Sequence, residues 1–253
     1  MPVPRVYVDL PLASGSEIEL PEAAANHAVR VLRLRAGAAL TLFNGRGGEY
    51  AATLGAAGPR GRVHAQVGDH ADVERESPLR LTLLQGIARG ERMDLIVQKA
   101  TELGVTRIVP LASERSVVRL DGSTATRRLE HWRAIAIAAC EQCGRNRPPL
   151  IDAVASLERI ADSVQALVLD AVEAAPRLLL EPGAATALVD VAPGLAAATL
   201  LIGPEGGLSE RESALARRAG FKPCRLGPRI LRTETAPLVA LAALQLLAGD
   251  LGA

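Results

Sequence analysis

Apolar and polar positions follow two different rhythms along this chain. Over residues 1–72 the apolar runs are short and are broken by Gly, Pro and Asn. Residues 3–8, 16–20, 39–43, 48–54 and 61–67 read as strands, because apolar and β-branched residues are bounded there by turn formers. Asn44-Gly45 follows the third run and is a hairpin signal, since both residues tolerate positive φ. A polar helix-like turn covers 21–31. Short strands at this spacing predict a small β-barrel.

From residue 79 onward, strand and helix patterns alternate. Apolar runs at 79–85, 106–110, 166–169, 199–202 and 224–226 predict strands. The run at 79–85 is nearly continuous, as in a sheet covered on both faces. Helix-period patterns lie between them. In 91–103, Met93, Ile96, Ala100 and Leu103 recur at helical spacing and Gly104 ends the element. An Ala-rich helix is predicted over 127–143. Ser209 and Glu212 have the spacing of a capping box, which predicts a helix over 210–218. The last helix starts near Thr235, tolerates Pro237 in its first turn and ends at Gly249. The alternation predicts an α/β domain with a mostly parallel sheet. The charged, Pro-terminated stretch 73–78 (VERESP) reads as a linker, giving domains 1–72 and 79–253.

Composition changes this picture in three ways. Of 253 residues, 49% are hydrophobic and only 2% aromatic, so the core must be aliphatic. The start of the chain lacks the pattern of a secretory leader, and no apolar segment is long enough to span a bilayer, which predicts a cytoplasmic protein without membrane contact. The net charge of +1 hides an asymmetry: 86–147 carries 11 basic and 7 acidic residues, and 148–198 carries 2 and 7. Apart from Lys99 and Lys222 the basic residues are all Arg, which suits phosphate recognition, though codon bias gives the same preference. Cys140, Cys143 and Cys224 are an odd number, against a disulfide framework; Cys140 and Cys143 lack the partners of a zinc set, so no metal is expected.

The candidate chemistry lies in 199–236. Gly203-Pro204-Glu205-Gly206-Gly207 and Gly227-Pro228-Arg229 each follow a strand pattern and lead into a helix. Loops at the carboxyl ends of strands are where open α/β sheets bind ligands. Glycines let backbone groups approach a ligand, and prolines stiffen the turns. Arg229, Arg232 and Glu234 add charge beside the second loop. No dinucleotide fingerprint, P-loop, metalloprotease motif or nucleophile elbow is present. In the first domain His27, Arg30 and Arg33 share one face of a helical turn, either as a phosphate site or as a solvated basic face.

The segments IGPEGGLSERE (202–212) and LGPRILRTETA (226–236) closely resemble the SPOUT-class RNA methyltransferases, above all the bacterial small-subunit (16S) ribosomal RNA uridine-N3 methyltransferase family. Segments 26–37, 43–50, 85–105, 110–118 and 141–149 are similar to that family as well, whereas 148–198 matches it weakly. The resemblance implies a PUA-like barrel followed by a SPOUT α/β-knot domain closed by a C-terminal trefoil knot. It also implies S-adenosylmethionine as cofactor, a homodimer, and ribosomal RNA or the assembled small subunit as partner. The cofactor positions it implies are Leu169, Ile202, Gly203, Gly207, Leu226, Ile230 and Leu231.

Uridine N3–H is a poor nucleophile until its proton leaves and the ring oxygens take up charge. Arg232 is the candidate for stabilising that charge, with a structural salt bridge as the alternative. Glu234 or Glu205 is the candidate base, with helix capping the alternative for Glu234. Arg5, Tyr7, His27, Arg30 and Arg33 are candidate RNA contacts on the barrel, extended by Arg115, Arg119 and Arg145. The competing readings are a SPOUT enzyme with another RNA target and a non-catalytic RNA-binding ribosome-assembly factor.

Overall fold

The computed structural model describes residues 3–59, 62–116, 122–162 and 175–252. The expected strand at 166–169, with Leu169, and the expected contact Arg119 lie outside these residues. The chain divides into two compact units: Met1–Glu76 with Ile137–Pro148, and Ser77–Ala136 with Pro149–Ala253. Ile137–Pro148 thus counts with the first unit, whereas the linker-based division assigned it to the second.

The first unit holds β1 (Arg5–Tyr7), β2 (Glu17–Glu19), α1 (Glu22–Asn26), β3 (Ala39–Phe43), β4 (Glu49–Ala57) and β5 (Val63–Ala71). They form a five-stranded sheet in the order β1-β3-β4-β5-β2. Pairing is parallel between β1 and β3 and antiparallel elsewhere. β4 runs further than the pattern suggested because register shifts at Tyr50/Ala52 and Leu54/Ala57 carry it past its glycine. The expected polar turn is α1 running into a π-helical turn, His27–Val31. Alternation places Leu40 and Leu42 of β3 and Val63, Ala65 and Val67 of β5 in one core with Val6, Ala24 and Ala28.

The second unit holds β6 (Arg80–Gly86), α2 (Glu91–Glu102), β7 (Arg107–Ala112), β8 (Leu150–Ile151), β9 (Ala155–Ser156), α4 (Leu157–Asp162), β10 (Arg177–Leu180), α5 (Leu188–Val191), β11 (Ala197–Ile202), α6 (Glu210–Arg218), β12 (Lys222–Cys224) and α7 (Thr235–Ala248). Helix α3 (Gly122–Cys143) begins in this unit and starts earlier than its apolar periodicity suggested. The sheet order is β12-β10-β11-β6-β7-β8, with β9 also on β7, and every pair is parallel.

Both faces of this sheet are covered. Leu81 and Leu83 of β6 with Ala198 and Leu200 of β11 face a core that includes Ile96 and Ala100 of α2 and Leu241 and Leu244 of α7. Leu84 and Leu201 face the opposite core, with Ala216 of α6 and Phe221. Two-sided burial is the reason these strands are apolar without alternation. Burial pushes the Cys140 thiol up to about 12, so it packs rather than reacts. Among the described residues no helix is long and apolar enough to cross a membrane.

Candidate active site

A cavity of about 610 Å³ lies where β10, β11 and β12 end. Its size is that of a small-molecule pocket. The first glycine loop, the second glycine loop and the turn Leu180-Glu181-Pro182 after β10 line it. The expected cofactor positions Ile202, Gly203, Gly207, Leu226, Ile230 and Leu231 all line it, as do Glu205, Arg232 and Glu234. Both loops thus meet at one site, although residues 208–226, with a helix and a strand among them, separate them in the chain.

Local chemistry explains the first loop. Ser209 Oγ accepts from the Glu212 N–H at 3.1 Å, and Glu212 Oε2 accepts from the Ser209 N–H at 2.8 Å. This is the capping box read from the sequence, and it fixes where α6 starts and the loop ends. Gly86 is required by close approach: a Cβ there would stand 2.4 Å from the Pro204 nitrogen. The end of β6 and the first loop therefore touch backbone to backbone. In the second loop Gly227 adopts φ +84°, a region that side chains disfavour.

A buried hydrogen-bond chain ties the loops together. The Thr233 hydroxyl donates to the Gly203 carbonyl at 2.9 Å and accepts from Gln85 Nε2 at 3.3 Å. Gln85 Nε2 also donates to the Gly86 carbonyl at 2.9 Å. Gln85 is a polar residue at the end of an apolar run and Thr233 a polar residue between two charged ones, and neither carries a further signal in the sequence. Leu179 and Leu180 of β10 were missed as well, because the three apolar residues of RLLL are too few to distinguish strand from helix. Arg92, in the first turn of α2, also lines the cavity; helical spacing had given it no role.

The charged groups differ sharply in engagement. The Arg232 side chain is 80% exposed, and Glu234 Oε1 lies 3.9 Å from its Nη1. This long, open contact is not a buried structural salt bridge. Glu234 stands at the N-cap of α7 but makes no capping hydrogen bond, so capping does not account for it. Glu205 Oε1 accepts from the Arg89 N–H at 2.9 Å and from Arg92 Nη1 at 2.8 Å. Burial pushes the Glu205 carboxyl up, but these donors outweigh it and hold the group below the ordinary carboxylate range. A carboxylate so held is a poorer proton acceptor, which argues against Glu205 as the base.

The expected RNA contacts separate into two sets. In the first unit Arg30 and Arg33 are exposed, and Arg33 holds a left-handed φ of 55°. Arg145, by contrast, has a side chain only 4% exposed and donates from Nε and Nη2 to Glu76, at 2.6 Å for the shortest contact. Arg5 is paired with Glu49, donates to Asn146 Oδ1 and the Arg145 carbonyl, and lies over the Phe43 ring. These two arginines are corrected from RNA contacts to internal ties: each is paired with a carboxylate inside the first unit, and Arg5 spends both of its Nη groups there. Tyr7 packs edge-on to Phe43 at 5.5 Å, and His27 Nε2 lies 3.4 Å from Glu141 Oε2. Burial raises the Glu141 carboxyl against the pull of the Tyr7 N–H, His27 and Arg5. In the second unit Arg115 is exposed and donates to the Gly206 carbonyl at 3.3 Å, beside the first loop.

A fully parallel sheet with a strand-end cavity built from glycine loops defines an α/β enzyme domain for a nucleotide-like ligand. Comparison with known proteins makes this specific. Residues 75–245 match the RNA methyltransferase domain, and residues 20–67 match the RNA methyltransferase PUA domain. The chain belongs to this RNA methyltransferase family, of the SPOUT class, with a PUA-like N-terminal domain. It is 35% identical over 233 residues to ribosomal RNA small subunit methyltransferase E of Bacillus subtilis, covering 89% of this chain and 90% of that protein. The protein of the same name from Mycobacterium tuberculosis is 34% identical, covering 95% and 90%. Among solved structures, ribosomal RNA small subunit methyltransferase E from Neisseria gonorrhoeae, bound to S-adenosylmethionine, is 39% identical with a TM-score of 0.86 and covers 98% of this chain and 99% of that one. A methyltransferase from Legionella pneumophila with bound S-adenosylmethionine is 37% identical with a TM-score of 0.91, covering 99% and 100%.

Proposed function

We propose that this protein transfers a methyl group from S-adenosylmethionine to N3 of a specific uridine in 16S, small-subunit ribosomal RNA. The observation that carries this reading is the meeting of two glycine loops around one cavity, with the exposed guanidinium of Arg232 at its rim. The residues fit the cofactor chemically. Leu179, Ile202, Leu226 and Leu231 offer apolar surface to an adenosine, and the loop backbones offer hydrogen-bonding groups to its edges. The cofactor supplies an electrophilic methyl group. The trefoil knot belongs to the same reading.

The chain's own residues then have distinct duties. Arg232 stabilises the negative charge that develops on the uridine ring oxygens as N3 releases its proton to solvent water at the open rim of the cavity. Glu234, within ion-pair range of Arg232, aims that guanidinium. Arg30, Arg33 and Arg115, all exposed, take RNA phosphates. The target base leaves its stack to enter the cavity. We assign the protein to the cytoplasm, with the assembled small subunit as partner and a homodimer as its working form. Val239, Leu246 and Leu247 leave one face of α7 apolar and 41%, 60% and 41% exposed, which suits contact with a second copy.

The test combines purified protein, isotopically labelled S-adenosylmethionine and small subunits from cells lacking the gene, with mass spectrometric mapping of the RNA. One uridine gaining one methyl at N3 is the expected result. Cofactor binding without any methylated uridine refutes this target. Absence of cofactor binding refutes the enzyme and leaves a non-catalytic RNA-binding factor.

A further inference from the structure

We propose that Arg92 is a positioning residue that couples the two glycine loops and acts on Arg232 through Glu234, an inference that rests on the methyl-transfer reading above. The guanidinium of Arg92 is divided between two carboxylates. Its Nη1 donates to Glu205 Oε1 at 2.8 Å, and its Nε faces Glu234 Oε1 at 3.7 Å. Glu205 belongs to the first loop, and Glu234 follows the second. On its other side Glu234 Oε1 lies 3.9 Å from Arg232 Nη1. Four charged groups therefore alternate in sign along the cavity: Glu205, Arg92, Glu234, Arg232.

The order has a mechanical consequence. With Arg92 present, Glu234 is shared between two guanidiniums, and Arg232 keeps most of its surface free for substrate. Without Arg92, Glu234 has Arg232 as its remaining cationic neighbour among the ion pairs here, and that guanidinium is drawn from the cavity toward the carboxylate. Glu205 loses its side-chain donor at the same time and keeps the Arg89 N–H at 2.9 Å. The first loop is then held to the start of α2 by one bond instead of two.

The bridge needs arginine specifically. A guanidinium donates in two fixed directions from one plane, whereas a lysine ammonium is a point charge on a flexible stem. Lysine would keep the charge and lose the geometry. The Arg92 side chain is 44% exposed, so its role is not core packing, and its replacement should leave the melting temperature near the wild-type value.

The experiment uses the full chain with S-adenosylmethionine and small ribosomal subunits. Cofactor affinity is measured by calorimetry and kcat by methyl incorporation, for wild type, Arg92→Ala, Arg92→Lys, Arg232→Ala and the double Ala variant; thermal melting monitors folding. Arg92→Ala should lower both kcat and cofactor affinity roughly fivefold, the size of one partly exposed ion pair. In the Arg232→Ala background the same change should lower kcat no further, because no guanidinium remains to be aimed, while cofactor affinity still falls. Arg92→Lys should behave as Arg92→Ala. Equal losses of kcat in both backgrounds, or full activity in Arg92→Lys, overturn the inference. Wild-type cofactor binding with an unaffected Arg92→Ala variant overturns it alone; absence of wild-type binding overturns the enzyme reading together with it.

Discussion

Arg145 and Arg232 are the same side chain in opposite circumstances. Arg145 is 4% exposed, and its Nε and Nη2 donate to Glu76. Arg232 is 80% exposed, with one carboxylate at 3.9 Å. Arg5 resembles the first, since it is largely buried and engages Glu49. Arg30, Arg33 and Arg229 resemble the second in being exposed. In the first unit carboxylates stand within reach of the buried arginines, and the charge becomes structural cement. At the cavity the nearest carboxylate is shared with Arg92, and charge is left over for a ligand. A buried, paired guanidinium contributes through its partner; an exposed one contributes through what it will bind.

This contrast can be broken most sharply at Arg232. Arg232→Ala should reduce kcat by roughly 10²–10³-fold, the cost of removing one preorganised charge stabiliser. Melting temperature and cofactor affinity should stay at wild-type values, and a wild-type turnover number sinks the assignment. Arg145→Ala should do the reverse. Stranding Glu76 should cost about 2–3 kcal/mol of stability in a denaturant titration. If that variant unfolds like wild type, the internal tie has been misjudged.

The exposed arginines of the first unit give a smaller, electrostatic effect. Changing Arg30 and Arg33 together to Ala should weaken RNA binding and reduce the slope of log K against log salt by about 2. An unchanged slope removes both from the RNA surface. The smallest effect concerns pH. Burial pushes the Glu49 carboxyl up, but hydrogen bonds and charge from Arg5 and Arg75 outweigh it and hold it below its ordinary value of 4.5. A depressed folded-state value contributes stability above the unfolded-state value, lost as pH falls through the folded one. Wild type should therefore lose stability as pH drops below about 4.5, and Glu49→Gln should show a shallower loss when denaturant midpoints are compared at pH 7 and pH 3. Parallel acid profiles would show that Glu49 contributes nothing.

What could be read in advance follows the range of the interaction. The helix over 210–218 was legible from Ser209 and Glu212, because a capping box closes within four residues. The strand at 199–202 and the two glycine loops were legible for the same reason. Three features were not. β10 lies in a weakly patterned stretch and gains its identity only by pairing with β11 and β12. Gln85 and Thr233 look like ordinary polar residues until folding brings them together across 148 positions. Arg5 and Arg145 look like surface arginines until Glu49 and Glu76 close over them.

The sequence by itself determined the alternation of elements, the caps that start and stop helices, and the two loops whose glycines and prolines limit backbone conformation. Those properties depend on neighbours along the chain, and residue type sets them directly. Only the tertiary structure decided that the loops share one cavity and that Arg92 spans two carboxylates. It also decided which arginines are withdrawn and which are offered. Burial and charge pairing depend on distances between residues far apart in sequence, and a guanidinium carries the same formula in either setting.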